Sequence, residues 1–226
     1  NPNPIPSFPN GQIVCEGESL QINPSSGGTW SSSNNGIANI SNAGIVNGVS
    51  AGTVDMVFTD NITGCSSDPS LGTITVNPIT FGTDVITACD SYTWIDGNTY
   101  TSSNNSATFT LTNSVGCDSI VTLDLTINNS TVITVPSGGV VCEGSTLNLS
   151  PSTGGTWSSS NPAVASITNT GLVTGLSVGT ANMVFTDNTT GCSSTVASGL
   201  VTVNATSSGT DVITACDSYT WIDGNT

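Results

Sequence analysis

The amino-acid sequence predicts an all-β chain of small tandem β-sandwich units stapled by disulfides. Composition is the first ground. Ser, Thr, Asn and 25 Gly dominate, while charged residues make up only 7% and hydrophobic residues 35% of the 226; such a Val-, Ile- and Thr-rich mixture favours pleated strands over a charged, disordered chain. The second ground is an internal repeat. Sliding the sequence against itself brings Cys15 onto Cys142, Trp30 onto Trp157, Cys65 onto Cys192 and Cys89 onto Cys216, all at one offset of 127 residues and without a gap. The third is the presence of seven cysteines in units too small to bury a large core alone.

Each period contains two unlike units. Unit A is expected at 1–77 and again at 128–204, and unit B at 78–127. A second B begins at 205–226, where Gly209–Thr226 repeats Gly82–Thr99 letter for letter. Residues 1–10, rich in Pro and Asn, lack the charged start and apolar core of a signal peptide, so the chain is expected to be a piece of a longer secreted protein. Unit A then runs through short apolar clusters separated by Gly, Asn, Ser and Pro turns: Leu20 and Ile22, Ile37 and Ile40, Ile45 and Val46, Met56 and Phe58, Ile74 and Val76. Their counterparts Leu147 and Leu149, Val164 and Ile167, Leu172 and Val173, Met183 and Phe185, Val201 and Val203 all stay apolar. About seven short strands in some 65 residues make a compact sandwich. In unit B, Val121, Leu123, Leu125 and Ile127 alternate with Thr122, Asp124 and Thr126, the pattern of a strand with one buried face.

Charge removes several functions. The chain has no Lys, Arg or His and 15 acidic residues, a net charge of −15. It cannot neutralise phosphates, which argues against nucleic acid and anionic membrane surfaces as partners. No apolar run approaches the roughly 18 residues of a membrane span. General bases such as His and Schiff-base lysines are missing, so no enzyme activity is expected.

The spacing of the cysteines suggests pairs within units: Cys15 with Cys65, Cys142 with Cys192, and Cys89 with Cys117, leaving Cys216 to pair beyond Thr226. There is no CxxC pair of the kind zinc sites use, and free buried thiols are the remaining alternative. Disulfides would place the chain outside a reducing cytosol.

The stretch GGTWSSSNNGIANISNAGIVNGVSAGTVDMVFTD and its copy GGTWSSSNPAVASITNTGLVTGLSVGTANMVFTD resemble the bacterial immunoglobulin-like group 2 domain. The match lies at Trp30 to Asn34, Ile37 to Ile40, Gly44 to Gly48 and Gly52 to Thr53, and it departs from the family in the cysteine pair, which many members lack. Unit B, with ACDSYTWIDGNTYTSS and VGCDSIVTLDLTI, resembles a repeat of very large Bacteroidetes surface proteins, including gliding-motility adhesins exported by type IX secretion. The resemblance implies immunoglobulin-like sandwiches in an extended cell-surface fibre. Its partners would be further copies of its own repeats, and its work would be that of a structural stalk; the rival class is a glycan- or surface-binding module. The same placement makes Ser119, Ser91 and Ser218, each after an Asp, candidates for O-glycosylation.

Candidate sites rest on oxygen chemistry. Asp90 and Asp118 each follow a cysteine, so a Cys89–Cys117 bridge would draw them together as a glycosidase-like pair; turn-capping Asp residues are the weightier expectation. No cofactor is required. Calcium is the one metal with a candidate site, at Asp60 with Asn61 and at Asp187 with Asn188, where hard oxygen ligands gather at loop tips; solvated turn residues are the alternative. Trp30, Trp94, Trp157 and Trp221 would stack on sugars if exposed in a groove, and pack beside a disulfide if buried.

Overall fold

The computed structural model describes residues 3–8, 12–210 and 212–222. Parts of the expected N-terminal Pro/Asn segment and of the second B unit, 205–226, lie outside the described residues. The described residues form strands and three short 3-10 turns, with no α-helix. The chain divides into two compact units, Asn1–Ile127 and Asn128–Thr226, the first of which spans the expected A and B of the first period.

In the first unit, β1 (Ile13–Cys15), β2 (Ser19–Gln21), β3 (Gly28–Ser32), β4 (Ala38–Ile40), β5 (Ile45–Gly48), β6 (Gly52–Asp60) and β7 (Thr73–Asn77) build a sandwich. One sheet has the order β1-β7-β6-β3 and the other β2-β5-β4. The alternation along GTVDMVFTD explains β6: Val54, Met56 and Phe58 are buried, and the intervening Asp55 and Val57 are half-buried, as a period of two requires. These three pack with Val14, Leu20, Ile22, Trp30, Ala38, Val46, Ile74 and Val76 into one core. Ile45, paired with Val46 in the sequence reading, faces outward with 41% exposure because its pleat neighbour takes the inner side.

The remainder of the first unit is β8 (Thr80–Cys89), β9 (Tyr92–Thr93), β10 (Thr99–Tyr100), β11 (Thr108–Thr112) and β12 (Asp118–Asn128). β12 is central to the sheet β11-β12-β8, and β9 and β10 form a hairpin. Leu123 and Leu125 are buried with Trp94, while Val121 and Ile127 pack partly buried against them.

The second unit repeats the sandwich with β13 (Val140–Cys142), β14 (Thr146–Asn148), β15 (Gly155–Ser159), β16 (Ala165–Ile167), β17 (Leu172–Gly175), β18 (Gly179–Asp187) and β19 (Leu200–Asn204). Its sheets, β13-β19-β18-β15 and β14-β17-β16, match the first sandwich strand for strand. The described residues of 205–222 contain no strand.

Backbones approach closely where a 3-10 turn crosses the middle of the long strand. A Cβ on Gly72 would collide with the Met56 carbonyl, and one on Gly199 with the Met183 carbonyl. Gly199→Ala should therefore destabilise the second sandwich by about 1–3 kcal/mol, the usual range for overpacking. Urea unfolding checks this, and an unchanged midpoint would show that the turn moves away freely.

The disulfides correct the sequence expectation. Cys15 bonds to Cys117, with Cα atoms 5.6 Å apart and the two cysteines 102 positions apart in sequence. Cys65, Cys142 and Cys216 are free thiols, whereas Cys89 and Cys192 are each disulfide-bonded. None of the expected pairs Cys15–Cys65, Cys89–Cys117 or Cys142–Cys192 forms. The reason is strand length. Cys15 lies opposite Asn77 on β7, and the adjoining Val76 lies opposite Gly52 at the start of β6. The Cys65 carbonyl accepts from the Asp60 amide at the far end of β6. Nine residues of strand separate those ends by roughly 26–30 Å, far beyond the roughly 7 Å within which Cα atoms can be bridged. The same geometry separates Cys142, opposite Asn204, from Cys192 beside Asp187.

Candidate functional site: the stapled junction in the first unit

Cys15 ends β1, the edge strand that runs parallel to β7, so it emerges where the chain leaves the sandwich for β8. Cys117 closes a turn held by the Asn113 carboxamide, whose Oδ1 accepts from the Val115 and Cys117 amides at 3.1 and 3.0 Å. Asn113 Nδ2 donates to the Pro78 carbonyl at 3.1 Å, and Asn77 Nδ2 donates to the Val115 carbonyl at 3.4 Å. The carboxylate of Glu16 bridges both sides: Oε1 accepts from the Ala51 amide at 2.7 Å and Oε2 from the Ile79 amide at 3.2 Å. One covalent bond and three polar side chains thus fix the β8–β12 region to the sandwich. The sequence reading missed Glu16, Asn77 and Asn113. The signal available was the repeated Cys-Glu-Gly at Cys15–Gly17 and Cys142–Gly144.

The other candidates are placed as follows. Asp60 Oδ1 accepts from the Ile62 amide (2.9 Å), the Thr63 amide (2.7 Å) and the Thr63 hydroxyl (3.0 Å). Asp187 repeats this with Thr189 and Thr190. Each Asp caps its own turn, and Asn61 and Asn188 are exposed beside it. Among the described residues no group of three or more His, Cys, Asp or Glu could hold a metal ion. Asp90 has φ 62°, a left-handed turn conformation, and Asp118 opens β12; the Cys89–Cys117 bridge that was to join them is not formed. Ser91 and Ser218 are exposed, whereas Ser119 is half-buried within β12 opposite Leu111.

Three of the four tryptophans are buried. Trp30 and Trp157 are 7% exposed and Trp94 is 3% exposed. Trp30 packs on Phe58 with ring centroids 5.1 Å apart, and Trp157 on Phe185 at 5.2 Å, so their neighbour in the core is a phenylalanine rather than the expected disulfide. Each indole N–H is satisfied: Trp30 donates to the Pro24 carbonyl, Trp157 to the Pro151 carbonyl and Trp94 to Asp84 Oδ2, at 2.8, 2.9 and 2.8 Å. Trp221 is half-buried outside any strand. A polar cleft of about 230 Å³ lies between Ser103, Asn104, Asn105 and the Asp124–Thr126 stretch of β12. It is lined by no aromatic residue and is smaller than the usual ligand pocket.

The Thr63 and Ile62 amides hold the Asp60 carboxyl below its usual range, and the Thr190 and Thr189 amides do the same for Asp187. A depressed carboxyl stabilises the fold fully above its unfolded value, 3.8, and that stabilisation is lost as pH falls through the lower folded value. Melting temperature should therefore fall on acidification below about pH 4. The Asp60→Asn/Asp187→Asn variant, which cannot titrate there, should show a shallower fall. Calorimetry from about pH 6 to pH 2 checks this, and parallel curves for the two proteins would reject it.

Two all-β sandwiches of the same topology, each packed around a Trp–Phe pair, define a tandem immunoglobulin-like protein. The family model of the bacterial Ig-like domain (group 2) matches residues 18–75 and 145–198, one stretch in each sandwich, so both sandwiches are immunoglobulin-like domains similar to this bacterial type. Among solved structures, the chain is similar to surface layer protein SbsC, domains 1–6, at 13% identity over 92% of this chain and 41% of that chain, with a TM-score of 0.24. It is also similar to invasin, a bacterial integrin-binding protein, at 11% identity over 88% and 59% with a TM-score of 0.34. A third is SGBP-B of the Bacteroides ovatus mixed-linkage glucan utilization locus, in complex with a mixed-linkage heptasaccharide, at 15% identity over 91% and 72% with a TM-score of 0.22. No functional assignment rests on these likenesses. No curated protein matches the chain.

Proposed function

We propose that the chain is a structural stalk segment of a long, repetitive cell-surface adhesin or filament, serving reach and stiffness in surface adhesion or gliding. The observation that carries this reading is the Cys15–Cys117 bond, which ties the first sandwich to the β8–β12 region instead of reinforcing the sandwich from within. A staple at a junction resists bending and stretching between neighbours, which a ligand-binding module does not need. In the chain-entropy model, closing a loop of about 100 residues stabilises by about 4–5 kcal/mol, a large share of what a small domain possesses.

Electrostatics act in the same direction. Fifteen negative charges with no cation repel along and between fibres, opposing collapse and clumping. The rival reading, a glycan-binding module, would need an aromatic platform, yet Trp30, Trp94 and Trp157 are consumed by cores. Antibodies raised against the fragment should label intact, unpermeabilised cells, and the purified protein should bind no member of a glycan array. Labelling only after lysis would overturn the surface assignment; saturable glycan binding would favour the rival module.

A further inference from the structure

We infer that the face of the second sandwich around Cys142, Glu143 and Asn204 is a docking surface for a complete B-type unit, closed by a disulfide from Cys142 to that unit's counterpart of Cys117. The occupant is the unit whose first part, Gly209–Thr226, the chain already carries. The inference concerns covalent assembly and stands independently of the stalk reading.

The first sandwich supplies the precedent. There the equivalent residues, Cys15, Glu16 and Asn77, engage β8–β12 through the disulfide, the Glu16–Ile79 hydrogen bond and the Asn77–Val115 hydrogen bond. The second sandwich presents the same frame. The Glu143 amide donates to the Asn204 carbonyl at 2.9 Å, as Glu16 does to Asn77 at 3.0 Å, and Gly144 donates to Gly175 as Gly17 does to Gly48. Glu143 Oε1 already accepts from the Val178 amide at 3.1 Å, the counterpart of the Glu16–Ala51 bond. What differs is covering: Cys15, Asn77 and Ile79 are half-buried, while Cys142, Asn204 and Thr206 at the equivalent positions are exposed. A surface with the same residues in the same backbone frame, uncovered in one copy and stapled to a B-type unit in the other, has its occupant shown by the first copy.

Closure is an oxidation. Two thiols, Cys142 and the incoming cysteine, become one cystine and give up two protons and two electrons to a small disulfide oxidant such as oxidised glutathione, which leaves as two thiols.

Appending a copy of Tyr100–Ile127 after Thr226 completes the second B unit and tests the assignment directly. In glutathione buffer, the 226-residue protein should show the three thiols of Cys65, Cys142 and Cys216, and the extended protein should show two. Peptide mapping without reduction should join the Cys142 peptide to the appended VGCDS peptide. In Cys142→Ser the appended cysteine should become alkylated, whereas in Cys216→Ser it should stay protected. An appended cysteine joined to Cys216, or one that remains reactive in the unsubstituted extended protein, overturns the inference.

Discussion

Reducing the Cys15–Cys117 bridge should lengthen a pulled first unit by about 350 Å. With non-thiol tethers at Gln12 and Asn129, tension passes from Cys15 across the disulfide to Cys117, so the 102-residue span between them bears none of it. Breaking the bond releases those residues, each adding about 3.3–3.6 Å when extended. The pairing expected from spacing alone, Cys15–Cys65 with Cys89–Cys117, would hide only the 50- and 28-residue loops and release about 270 Å. Single-molecule extension with and without reductant separates the two values. A gain near the smaller one, or none, would remove the junction staple and with it the main support for a stalk.

Trp94→Ala should unfold the β8–β12 region while leaving the first sandwich intact. That region fully buries only Trp94, Leu123 and Leu125 as its core cluster, and the Trp94 ring meets Phe109 edge-on at 6.4 Å. Truncating a buried Trp costs about 3–5 kcal/mol, and it also removes the indole donor to Asp84. Few other contacts are available to absorb such a loss in so small a core. The Leu123 amide donates to the Ala107 carbonyl and the Leu125 amide to the Asn104 carbonyl, both at 2.8 Å, so hydrogen exchange at these two positions reads the region directly. It should accelerate about 100- to 1,000-fold or more. Exchange at Phe58, whose amide donates to Ser67 Oγ inside the sandwich at 3.0 Å, should not change. Equal acceleration at both sites would mean that the staple makes the whole unit unfold as one.

These two effects separate what local chemistry encodes from what the fold adds. Alternation in GTVDMVFTD, repeated as GTANMVFTD, is enough to predict a half-buried strand, because a period of two assigns each side chain to one face whatever the strand packs against. The 127-residue repeat likewise made the two sandwiches legible, and the lack of any cation argued against nucleic acid and anionic membrane surfaces as partners; that each core Trp packs on a Phe was visible only in the structure. Asp60 and Asp187 were legible as loop-tip carboxylates, but only the structure shows Oδ1 of each engaged by the amides of its own turn.

Pairing of the cysteines was not legible. Sequence spacing measures loop length, and loop closure changes only slowly with length, so it ranks a 50-residue loop and a 102-residue loop almost equally. What decides is which ends of which strands coincide in space. Cys15 lies at the Gly52 end of β6 and Cys65 at the Asp60 end, a separation created by the parallel pairing of β1 with β7, which no local pattern announces. The Glu16 bridge depends on the same fact, since its two acceptors meet amides 35 and 63 residues away. The sequence by itself therefore determined the strands, the repeat and the charge. Tertiary structure alone decided where the covalent links fall, because a disulfide answers to distance between strand ends and not to distance along the chain.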